Sequence, residues 1–149
     1  MILHLIRCII LLALVALHFT SALASDEYPI RRFTDANGKQ TGYFITRERL
    51  AATPEWIFDG KTLPPLPLAD AYRIASQWIA KKYPTMDSFR VRSYAVEQAG
   101  NSGAPNRWYY TFDFVGVMNG AEVYGGPFTA MVLMDGTIIE PREIKPGEA

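Results

Sequence analysis

From Leu68 onward the apolar positions are spaced regularly enough to draw a fold. Leu68, Ala71, Tyr72, Ala75, Trp78 and Ile79 recur at three- and four-residue steps and share one stripe, while Asp70, Arg73, Gln77, Lys81 and Lys82 populate the other side. The spacing predicts a helix over 68–83. Its charges suit the helix dipole, with Asp70 in the first turn and Lys81 and Lys82 in the last, and Pro84 forces a stop. From Phe89 the period changes to two and stays there. Strands are predicted over 89–97, 107–117, 128–134 and 137–144, the last two joined at Asp135-Gly136, with Ala121–Tyr124 extending or capping the sheet. The expected class is α+β: one amphipathic helix packed on a four-stranded antiparallel sheet.

The stretch before the helix, residues 25–66, reads as an N-terminal β-hairpin-like extension. Residues 28–34 and 41–46 are β-prone and flank Asp35-Ala36-Asn37-Gly38, a turn in which Asn and Gly tolerate positive φ. Pro29 argues for an edge position, since it has no N–H for a ladder. Residues 46–52 read as a short helical turn, Trp56-Ile57-Phe58 as an apolar cluster and Asp59-Gly60 as a turn. Leu63-Pro64-Pro65-Leu66-Pro67 then stiffens the approach to the helix. Residues 67–149 are the helix-and-sheet part, and 25–149 is expected to be one folded unit.

Alternation separates the two faces of the main sheet. A two-residue turn at Asp135-Gly136 would pair Met134 with Thr137, Val132 with Ile139 and Ala130 with Pro141, giving an uncharged face shared with Phe128. Trp108, Tyr110, Phe112 and Phe114 join it under the helix, as do Phe89, Val91, Ser93 and Ala95. The outer face then carries Arg90, Arg92, Tyr94, Val96, Tyr109, Asp113, Met131, Leu133, Ile138, Glu140 and Arg142. So much apolar surface seldom stays wet. Either the N-terminal segment folds across it, where Tyr43, Phe44, Ile45, Trp56 and Phe58 also need burial, or another protein chain does.

Residues 1–24 read as a secretory signal peptide. Met1–Arg7 carries the positive charge, Cys8–Leu17 is apolar, and Ala22-Leu23-Ala24 supplies small residues for cleavage after Ala24. The apolar run is short for a membrane span. Cleavage would remove Cys8, His4 and His18, the only cysteine and both histidines of the chain. What remains has no means to build a Ser-His-Asp triad, a cysteine nucleophile, a disulfide, or a metal site using Cys or His. Acid and base are close to balance and no basic run exceeds a pair, which argues against nucleic acid and, after cleavage, against a membrane surface.

Motifs for cofactors and nucleophiles are missing. Asp35-Ala36-Asn37-Gly38 begins like a calcium loop, but Gly38 comes too early and the twelfth position would be Thr46. The glycines at 116, 120, 125 and 126 fit no phosphate-binding spacing. Among carboxylates, Asp113 lies on a long strand among aromatics, with Glu97 and Glu140 on neighbouring strands. It suits a general acid or base, or an ion pair with Arg90, Arg92 or Arg107. Trp108-Tyr109-Tyr110 suits either ligand stacking or core packing. No catalytic residue, metal or cofactor is assigned.

Pro65-Leu66-Pro67-Leu68-Ala69-Asp70-Ala71, Trp108-Tyr109-Tyr110-Thr111-Phe112 and Met131-Val132-Leu133-Met134-Asp135-Gly136-Thr137-Ile138-Ile139 together resemble the PepSY and cystatin-like group of small exported α+β domains, over 65–143. The resemblance implies a module that binds or inhibits another protein, in some cases a peptidase, with no catalytic signature. The expected function is a periplasmic or secreted, non-enzymatic protein-binding module, with an unknown protein partner or self-association. Its candidate binding residues are Arg90, Arg92, Tyr94, Tyr109, Asp113 and Glu140. The alternatives are a small-ligand carrier or carboxylate-based enzyme with a helix-sheet pocket, and a structural subunit of an envelope assembly.

Overall fold

The described residues form two sheets, and residues 138–143 pass from one to the other. The computed structural model describes residues 27–34, 38–100, 104–124 and 126–145. The signal peptide read over 1–24, its cleavage point after Ala24, and most of the turn at Asp35–Gly38 lie outside them. Strands β1 (Glu27–Thr34) and β2 (Gln40–Thr46) pair antiparallel, with β1 at the edge where Pro29 was expected. Helix α1 (Arg47–Ala51) follows, its first turn capped by the Thr46 hydroxyl, which accepts the Arg49 N–H at 3.0 Å. After the irregular segment 52–67 comes helix α2 (Leu68–Lys82), within one residue of its predicted span.

The larger sheet then forms in the order β3, β4, β6, β7, from β3 (Ser88–Gln98), β4 (Trp108–Met118), β6 (Thr129–Leu133) and β7 (Ile138–Ile139), with the short β5 (Ala121–Val123) folding back on the far end of β4. The chain then crosses over, and β8 (Pro141–Glu143) pairs with β2 in the N-terminal sheet. The α+β character stands. The count does not: the described residues form two helices and two sheets, of three and five strands, rather than one helix on a four-stranded sheet. The strand expected over 137–144 is split at Glu140. Pro141 has no N–H for a ladder and sits opposite Tyr43 of β2 instead.

Three layers result, with a core on each side of the main sheet. Between α2 and the sheet, Ala71, Ala75 and Ile79 are buried with Tyr110, Phe112, Phe114, Phe128, Ala130, Val132 and Met134. Between the sheets, Tyr43, Ile45 and Leu50 are buried with Tyr109, Met131, Leu133 and Ile139. The Tyr43 hydroxyl ties the layers together by donating to the Thr129 carbonyl at 2.6 Å. Burial, with Tyr83 next in weight, pushes that phenol well above its ordinary pKa, so it stays a donor. The N-terminal segment therefore covers the part of the outer face made by β4, β6 and β7.

Two one-residue irregularities reverse part of the face assignment. The hairpin after β6 has a three-residue connection, Met134-Asp135-Gly136, with Gly136 at φ +84° and Met131 opposite Ile139. A residue in that left-handed conformation adds one position to the turn. Ile139 therefore enters the core between the sheets, while Ile138 packs on the helix side, the opposite of the two-residue reading. In β3, Val91 opposes Phe114 but Ser93 opposes Asp113, so Arg92 is an extra residue in a bulge. Beyond it the phase flips: Tyr94 opposes Phe112 and Val96 opposes Tyr110, placing both on the helix face, with Ser93 and Ala95 outside.

Candidate functional site

β3 is the long edge of the main sheet, and among the described residues it pairs only with β4. An edge strand leaves about half its backbone N–H and C=O groups without a ladder partner, which makes it a template for another strand. Here the edge is also poorly covered on its faces. α2 packs mainly over β6 and touches β3, β4 and β7 less, with Ala71, Ala75 and Ile79 rather than Leu68 and Tyr72 as the buried centre of its stripe. The inner face of β3 is left partly open, with Val91, Tyr94 and Val96 exposed by 41%, 57% and 38%.

Those side chains belong to one apolar stripe. Phe58, itself well exposed, lies 6.0 Å from the Trp108 ring and 5.3 Å from that of Trp56. Val96 opposes Tyr110 on the next strand, and Tyr94 lies 6.2 Å from Phe112. Tyr72 of α2, also exposed, leans on Phe112 and Phe114 at 6.1 and 6.5 Å. The stripe runs beside the open edge for the length of β3. Its floor is rigid: the Trp108 indole donates to the Trp56 carbonyl at 2.8 Å, and the Tyr110 hydroxyl to the Leu66 carbonyl at 2.8 Å. Burial raises the Tyr110 pKa, which keeps that donor protonated.

The six candidate residues fall in three places. Arg90, Arg92 and Tyr94 are on β3 and exposed. Arg90 pairs with Glu122 of β5, which also accepts from the Tyr124 hydroxyl. Arg92 makes no ion pair or hydrogen bond among the described residues. Tyr94 was expected on the outer face and is on the inner one, because of the bulge. Tyr109 is buried between the sheets, so it presents nothing to a partner.

Asp113 stays on the outer face at a cleft of about 240 Å³ lined also by Arg31, Arg92 and Thr129. The Thr129 hydroxyl donates to it at 2.7 Å and the Ser93 hydroxyl at 3.3 Å, and Arg31 stands 3.8 Å away. Its ion-pair partner is thus an arginine of β1, none of the three expected from sequence. Its oxygens clamp β4 to β6, β3 and β1, with no reacting group in reach among them.

Glu140 is on the helix side, a consequence of the extra residue at Gly136. It accepts from the Trp78 indole at 2.7 Å and from Lys82 at 3.0 Å. Partial burial alone would raise its pKa, but the two hydrogen bonds and the lysine charges outweigh that and hold the carboxyl below its usual range. It fastens α2 to the end of β7.

Sequence reasoning missed Phe58, Tyr72 and Val91 as surface groups, and it set Val96 on the outer face rather than the inner one. The signal was present in the width of the helix stripe, which carries Leu68 and Tyr72 beyond what one side of a sheet buries, and in the Trp56-Ile57-Phe58 cluster. Among the described residues no three His, Cys, Asp or Glu side chains gather as a metal site, and no helix is long and apolar enough to cross a membrane. No family model matches the chain, and neither a curated protein nor a solved structure does.

Proposed function

We propose that this chain is an exported, non-enzymatic protein-binding module that takes up an extended segment of a protein along the β3 edge. The observation that carries it is the coincidence of an eleven-residue strand whose outward edge has no partner among the described residues with an exposed apolar stripe on the face beside it. Strand addition works this way: main-chain hydrogen bonds along the edge supply affinity, and alternate side chains of the guest settle on the adjoining face and supply selectivity. Arg92 on the other face offers an uncommitted cation to a carboxylate of the guest. Export rests on the leader-like residues 1–24. Modulation of a peptidase is the role that the likeness to PepSY and cystatin-like domains favours.

Extended peptides selected from a displayed library on the purified protein test the reading. Binders should perturb the amide resonances of Ser88–Gln98, and Tyr94→Asp should weaken them about tenfold or more without shifting the melting temperature. Binders that map elsewhere, or that ignore Tyr94→Asp, would refute it.

A further inference from the structure

We infer that the segment taken up by β3 is the β3 strand of a second copy of this chain, paired antiparallel about a two-fold axis at Ala95. The inference rests on reading β3 as the working edge. The bulge at Arg92 confines the regular part of the strand to Ser93–Gln98. Residues directly opposite in an antiparallel pair point to the same face, so an added strand must match inner with inner and outer with outer. For two copies of this strand, the register centred on Ala95 does so: Tyr94 stands opposite Val96 of the second copy, and Ser93 opposite its Glu97. A shift by one residue would set apolar side chains against polar ones on both faces.

This register matches charge as well as polarity. Ser93 opposes Asp113, and Arg92, the extra residue of the bulge, lines the same outer cleft as Asp113, which puts the bulged arginine on the outer face next to Ser93. Glu97 of the second copy, opposite Ser93, is then within reach of that guanidinium. Glu97 uses one oxygen to accept the Thr111 hydroxyl at 2.6 Å, which fixes it on the outer face with its other oxygen available. The two-fold makes the contact twice. On the inner face, Tyr94 and Val96 of both copies meet, and the two apolar stripes become one surface between two α2 helices. No like charges are opposed.

The experiment combines sedimentation equilibrium with site-directed cross-linking. The protein should show a reversible monomer–dimer equilibrium between about 1 μM and about 1 mM. Arg92→Glu and Glu97→Arg should each weaken the dimer about tenfold or more, and the double swap should restore it; the Arg92→Glu monomer should melt as the parent does, and the Glu97→Arg monomer somewhat lower, because the buried Thr111 hydroxyl loses its acceptor. With Cys8 replaced by Ser, Ala95→Cys should oxidise to a covalent dimer, whereas Ser93→Cys, far from its own copy in this register, should not. A dimer that ignores the charge swap, or that cross-links at 93 rather than 95, overturns the register. A chain monomeric throughout, with no cross-link at 95, overturns the second copy as guest. In that case, library peptides that perturb β3 would leave the edge reading standing, and their failure to do so would remove it too.

Discussion

β3 and β6 flank the same central strand, and both pair with it antiparallel, yet all five residues of β6 are buried while nine of the eleven in β3 are exposed. The difference is coverage. β6 has α2 on one face and the N-terminal sheet on the other, so Val132 and Ala130 serve one core while Met131 and Leu133 serve the second. β3 has a complete layer on neither side. A strand buried on both faces reads as an unbroken apolar run, and Ala130-Met131-Val132-Leu133 does. A strand of eleven residues held by one ladder, with tyrosine and valine in solvent, has more edge and apolar surface than the fold itself uses.

The strongest way to break this comparison is to truncate one aromatic in each environment. Phe112→Ala, under α2, should cost about 3–5 kcal/mol in urea unfolding. Tyr94→Ala, which touches Phe112 from the exposed strand, should cost under about 1 kcal/mol. If Tyr94→Ala proved as costly as Phe112→Ala, β3 would be structural rather than spare.

A smaller effect tests the layer that separates the two strands. Tyr43→Phe removes the buried hydrogen bond to Thr129 and should cost about 1 kcal/mol. Limited proteolysis should then cut residues 27–51 sooner while leaving Ser88–Gln98 no more sensitive than before. Equal loosening of β3 would mean that the N-terminal sheet supports the edge as well.

The smallest effect concerns pH. The Glu140 carboxyl is held below its usual range in the folded protein. Its contribution is therefore complete above the ordinary carboxylate pKa and is lost as pH falls through that range toward the lowered folded value. Glu140→Gln should lower the melting temperature slightly at neutral pH and flatten its decline in acid. An unchanged acid slope would mean that Glu140 does not hold α2 to β7.

Much of this was legible in the residues. Period-3.6 spacing located α2, because burial on one side imposes it, and runs of β-prone residues bounded by turns located β3, β4 and β6, although β4 and β6 are buried on both faces. Tyr43 and Ile45 did find cover against the outer face. What escaped were two single-residue insertions. A bulge at Arg92 and a left-handed Gly136 each shift the alternation by one, and nothing in composition marks Arg92 as the extra residue. They moved Tyr94 and Glu140 to the helix side and exchanged Ile138 with Ile139. The split of 137–144 was foreshadowed by Pro141, but which sheet β8 would join depends on contacts with β2 that no local pattern encodes. As for the candidate site, Arg90, Arg92 and Tyr94 were found as types that anchor interfaces, whereas the rest of the stripe depends on where α2 stops covering the sheet.

The central claim, that the outward edge of β3 accepts a strand, is tested most directly by amide exchange along Ser88–Gln98 at about 10 μM and about 1 mM protein. The amides bonded to β4 should be protected at both concentrations. Those facing outward over Ser93–Gln98 should exchange freely in the dilute sample and gain protection in the concentrated one. Outward amides that exchange equally fast at both concentrations, and in the presence of library-selected peptides, would contradict the account.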